Sequence, residues 1–133
     1  VPVRASPRSL PSIAVAVVLW LWAPLAAALE IEPFSAEALA QAQRADAPVA
    51  LHFHSKSCGT CRLQSKAFEA LRVEPGLAMT LLVVDFDDDR DTPRAFRVFV
   101  PGTVVVLRGA AERARLMGVV DPKQLREALQ TAF

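Results

Sequence analysis

The only two cysteines of the chain, Cys58 and Cys61, fall at the seam between two kinds of periodicity. Before them, Val49 to His54 alternates, with Val49, Leu51 and Phe53 on one side and Ala50, His52 and His54 on the other, the period-two pattern of a strand. After them, from Gly59 onward, Leu63, Ala67, Ala70 and Leu71, with Phe68 beside them, recur at helical spacing until Glu74-Pro75-Gly76 stops the run. A strand that hands the chain to Cys58-Gly59-Thr60-Cys61 at the start of a helix points to an α/β fold. It also sets the first sulfur at a helix N-terminus, where the backbone dipoles favour a thiolate.

Two cysteines three residues apart close a small loop that can pass between dithiol and disulfide with little backbone movement. As a purely structural staple the same bridge is weak, because closing so short a loop removes little entropy from the unfolded chain. Gly59 permits the tight turn and Thr60 constrains it little. A second chemistry is open to the same stretch. His52, His54, Cys58 and Cys61 are four soft or borderline ligands within ten residues, a candidate copper or zinc set, although a strand projects alternate side chains about 7 Å apart and leaves the cysteines at one end.

The remaining pattern alternates element types. Leu29 to Phe34 is expected as a short strand, Ser35 as the cap of a helix over Ala36 to Ala45, and Asp46-Ala47-Pro48 as its end. Met79 to Phe86 is predicted as a buried strand. Thr92-Pro93 is expected to cap and open a short helix reaching about Arg97. Thr103 to Leu107 and Glu112 to Met117 read as an antiparallel hairpin around Arg108-Gly109-Ala110-Ala111. Asp121-Pro122 opens a last helix with Leu125, Ala128 and Leu129 inward.

With 133 residues the chain holds one ordinary domain, and 15 basic against 14 acidic residues leave no global field to recruit nucleic acid. Arg4 and Arg8 precede an uncharged stretch from Ser9 to Leu29, with Ile13 to Trp22 apolar, Pro24 breaking it, and Ala26-Ala27-Ala28 offering the small residues of an export-peptidase site. Residues 1–28 are therefore expected to be a signal peptide or an N-terminal membrane anchor, and residues 29–133 a domain outside the cytosol, in the periplasm, where disulfides persist.

The order strand, Cys-x-x-Cys, helix, strand, short helix, hairpin, final helix resembles the thioredoxin family over nearly all of residues 30–133, and with the N-terminal segment an exported member of it. The resemblance implies a mixed central sheet flanked by helices, with Cys58 as the exposed attacking thiol and Cys61 as the buried resolving thiol. Three positions depart from the family pattern. His52 stands where a buried carboxylate often takes the proton of the second cysteine, and a neutral imidazole is a candidate for that role. Ser57 replaces the usual tryptophan and His54 an aromatic ring; a positive His54 or Lys56 near Cys58 would lower its pKa. In Val100-Pro101-Gly102-Thr103, either Pro101 is the family's cis-proline or Gly102 stands in its place, on a loop that the resemblance assigns to binding the substrate backbone.

Other patterns carry less. The run Asp85, Asp87, Asp88, Asp89 and Asp91 lacks the glycine and glutamate of a calcium loop, and reads as a solvated turn. Arg108, Arg113 and Arg115 read as the exposed face of the hairpin, without the interleaved aromatics of a nucleic-acid site. The resulting expectation is a monomeric thiol:disulfide oxidoreductase that needs no cofactor and acts on protein thiols and disulfides. A membrane electron carrier is a candidate source of electrons, the direction of electron flow is open, and metal delivery is the alternative.

Overall fold

The computed structural model describes residues 1–3 and 28–133, so the expected export or anchor segment lies almost wholly outside the described residues. Among those described, no helix is long and apolar enough to cross a membrane. The chain runs β1 (Glu30–Pro33), α1 (Ala36–Arg44), β2 (Pro48–His54), α2 (Gly59–Leu71), β3 (Thr80–Asp85), α3 (Asp91–Ala95), β4 (Thr103–Arg108), β5 (Ala111–Met117), α4 (Pro122–Gln130). The strands form one mixed sheet in the order β1-β3-β2-β4-β5. β1, β3 and β2 are parallel, while β4 runs antiparallel to both β2 and β5. This is the thioredoxin-like α/β architecture expected from the sequence.

Both faces of the sheet are covered. Ala50, Leu81, Val104 and Val106 pack with Phe68 and Leu71 of α2 and Leu125 and Leu129 of α4. On the other face Val49, Leu51, Phe53 and Val105 pack with Leu39 of α1 and with Val98 and Phe96 beyond α3. Central strand β2 is thus buried from Val49 to Phe53, and its polar His52 is only 1% exposed. A strand closed in on both faces hides its polar alternate as thoroughly as its apolar ones, and a buried polar group needs a partner.

Two local expectations change. Thr92 does not cap α3 but lies inside it; the helix is preceded by Arg90, whose side chain makes no cap bond, and the backbone N–H groups of Asp91 and Thr92 donate instead to Asp89 Oδ1 at 3.0 and 2.9 Å. The buried stripe of α2 is Cys61, Gln64, Ala67, Phe68 and Leu71, with Leu63 53% exposed and Ala70 on the solvent side. Turning Cys61 into the sheet carries Gln64, three residues on, inward with it and swings Leu63 outward. Helical spacing in the sequence placed Leu63 inward and left Gln64 unassigned.

Candidate functional site

β2 ends at His54 and the next four residues turn the chain into α2, whose N-cap is Cys58. The turn is held by a carboxylate from the far side of β3. Asp87 Oδ1 accepts from the Ser55 hydroxyl at 2.7 Å and its Oδ2 from the Lys56 backbone N–H at 3.0 Å. Those two bonds, the Lys56 N–H first, hold the Asp87 carboxyl below the usual carboxylate range. Ser55 in turn accepts from Ser57 N, and its carbonyl from Cys58 N. Asp85 shapes the approach by accepting from the N–H groups of Asp87 and Asp88. The acidic run read as a solvated turn therefore contains the clamp of the cysteine loop. Lys56 itself stays exposed.

Cys58 and Cys61 form a disulfide with Cα atoms 5.2 Å apart. Cys58 is half-buried and Cys61 fully buried, which is the division of exposure expected from the resemblance. Cys58 Sγ accepts from the Cys61 backbone N–H at 3.1 Å, and Cys61 Sγ lies 3.9 Å from the Phe53 carbonyl oxygen. A sulfur that caps a helix receives an N–H that would otherwise be orphaned, and after reduction the same N–H stabilises its thiolate.

Opposite the pair is the loop before β4. No cis peptide bond occurs among the described residues, so Pro101 is not a cis-proline; Gly102 occupies the facing position. Its φ of +80° is one that glycine alone adopts without strain, and its N–H donates to the Phe53 carbonyl at 2.8 Å. A Cβ at Gly102 would lie 3.3 Å from Thr60 Cγ2 and 3.8 Å from Cys58 Sγ. Thr103 starts β4, buried, with its hydroxyl donating to the Val100 carbonyl at 2.9 Å. Thus Thr60 and Gly102 meet beside Cys58, Gly59 lies exposed in the first turn of α2, and Thr103 follows Gly102 at the start of β4.

His52 makes its hydrogen bond to Gln64, Nε2 to Oε1 at 3.0 Å, and its ring stands edge-on to Phe68 and His54 at 5.3 and 5.5 Å between centroids. Gln64 is fully buried and donates from Nε2 to the carbonyls of Gly102 and Val119, both at 2.9 Å. Since both amide protons are committed, Oε1 is the acceptor, and His52 carries its proton on Nε2. Burial, offset in part by the Gln64 bond and reinforced by His54, lowers the His52 pKa to about 4. The ring is neutral at pH 7 and a weak base there. His54 is half-buried at the end of β2 and borders a hollow of about 440 Å³ with Ile31, Pro33, Val83 and Lys56. Among the described residues, no group of three or more His, Cys, Asp or Glu side chains lies together as a metal site, so the proposed set of His52, His54, Cys58 and Cys61 is not assembled. Gln64 and Asp87 were missed as site residues. Their partners lie far off in sequence, and no local spacing signals them.

Fold and cysteine geometry together define the class: a thioredoxin-like domain with a disulfide-forming pair at the N-terminus of α2. No protein-family model matches the chain. Thioredoxin of Mycolicibacterium smegmatis is 27% identical over 88 residues, covering 65% of this chain and 79% of that protein. The solved structure of Trxlp from Edwardsiella tarda superposes with a TM-score of 0.71 at 28% identity, covering 75% of this chain and 98% of that one. A thioredoxin variant from Halobacterium salinarum gives a TM-score of 0.65 at 18% identity, covering 80% and 92% of the two chains.

Proposed function

We propose that this chain is a thiol:disulfide oxidoreductase that exchanges disulfides with protein clients outside the cytosol. The observation that carries the activity is the pairing of a solvent-reachable, helix-capping Cys58 with a buried Cys61 bonded directly behind it. In the reducing direction the Cys58 thiolate attacks one sulfur of a client disulfide, giving a mixed disulfide and one client thiolate. Cys61, deprotonated, then attacks Cys58 Sγ and releases the second client thiolate, so two electrons pass to the client and the Cys58–Cys61 disulfide forms. The oxidising direction is the reverse. Support for export comes from the basic start, apolar run and small-residue end of residues 1–28.

Turnover of insulin disulfides by the purified protein with dithiothreitol, and its loss in Cys58→Ser, tests the activity; a fully active Cys58→Ser protein refutes it. Equilibration in graded thiol buffers decides direction, with a potential near about −120 mV marking an oxidant and about −270 mV a reductant. Secretion of a reporter fused behind residues 1–28 tests the location.

A further inference from the structure

Gln64 touches more of the site than any motif in the sequence suggests. It sits on α2 one turn beyond Cys61, wholly buried, and its amide reaches three separate segments: His52 on β2, the Gly102 carbonyl before β4 and the Val119 carbonyl after β5. The Gly102 carbonyl also accepts from Gly118 N at 3.0 Å. The Gly102 loop and the segment after β5 are therefore tied both to each other and to the helix that carries the cysteines. Gly102 is the backbone that faces Cys58: a Cβ added to it would meet Gln64 Oε1 at 3.6 Å as well as Thr60 and the Cys58 sulfur. Gln64 thus bonds the carbonyl of the residue that faces Cys58, a residue whose N–H is held in turn by the Phe53 carbonyl.

We propose that Gln64 is a positioning residue that fixes the Gly102 loop over Cys58, and thereby sets how well folded protein disulfides are accepted relative to small ones. A protein disulfide brings flanking backbone that must pass between Gly102 and Cys58. A small disulfide presents little beyond its two sulfurs. Releasing the loop thus penalises the first substrate more than the second, whereas a general loss of structure penalises both alike.

This inference rests on the exchange activity proposed above. Its test compares kcat/KM for insulin with kcat/KM for 2-hydroxyethyl disulfide in the full chain and in Gln64→Leu. The insulin-to-small-disulfide ratio is expected to fall about tenfold, in keeping with the loss of one or two buried hydrogen bonds. Because Gln64→Leu orphans the His52 Nε2–H, the same ratio is read in a Gln64→Leu/His52→Leu protein, where no imidazole N–H is left unpaired. A wild-type ratio in either folded variant overturns the role of Gln64. Wild-type protein that turns over neither disulfide refutes the exchange activity itself.

Discussion

Ser55 Oγ donates to Asp87 Oδ1 at 2.7 Å across 32 residues of chain, and this bond joins the loop carrying Cys58 to the loop leaving β3. The Asp87 carboxyl is held below its ordinary range by the Lys56 N–H and the Ser55 hydroxyl. A carboxylate whose folded value is depressed stabilises fully above its unfolded pKa of about 4, and that contribution is lost as pH falls through the lowered folded value. Denaturant titrations from pH 6 down to pH 2 will show Asp87→Asn with a shallower acid loss than the parent, together with faster proteolysis in the loop over residues 55–58.

His52 acts in a different pH window. Its folded pKa of about 4 lies below the unfolded value of 6.5, so between the two the unfolded chain binds the extra proton and stability falls as pH is lowered. At about 1.4 kcal/mol per pH unit, the loss approaches about 3 kcal/mol on going from pH 7 to pH 4. Urea unfolding across this range will show that loss in the parent and its absence in the Gln64→Leu/His52→Leu protein, whose core has no imidazole to charge.

Gly102→Ala will destabilise the fold by about 1–2 kcal/mol, since a residue with a Cβ is strained at a φ of +80° and the methyl crowds Thr60 Cγ2 at 3.3 Å. A thermal melt measures the first effect. The second will appear as slower alkylation of the reduced Cys58, because the same methyl sits 3.8 Å from its sulfur.

Cys61→Ser will leave Cys58 able to attack but without a resolving thiol, so mixed disulfides with clients will accumulate and be seen as mass adducts. In the reduced parent, Cys58 will react with iodoacetamide at least about tenfold faster than Cys61, because one sulfur is half-exposed at a helix N-terminus and the other is buried.

The order of elements, the ends of most strands and the place of the cysteine pair were legible in the sequence because they are local. Alternation marked β2, Ser35 and Asp121 marked helix starts, and both caps are observed, Ser35 accepting from Ala38 N and Asp121 from Lys123 N and Gln124 N. The short helix was found but its cap misassigned, since Asp89 and Thr92 offer the same chemistry three residues apart and only the geometry of the turn selects one. Leu63, expected inward, lies on the exposed face, and Gln64, for which the pattern made no assignment, is buried. The helix's rotation is set by docking Cys61 against β2, which the helix's own pattern does not record.

By itself the sequence determined the chemistry: two sulfurs at the mouth of a helix, in a chain whose period-two and period-3.6 stretches alternate into an α/β sheet. Tertiary structure decided what surrounds them. Gly102 rather than a cis Pro101 faces Cys58, Asp87 rather than a nearby residue clamps the loop, and His52 pairs with Gln64 instead of joining a metal set. The physical reason is one of range. Periodicity and capping act over a few residues and leave their mark in order along the chain, while a buried polar group must find its partner wherever packing brings one within about 3 Å.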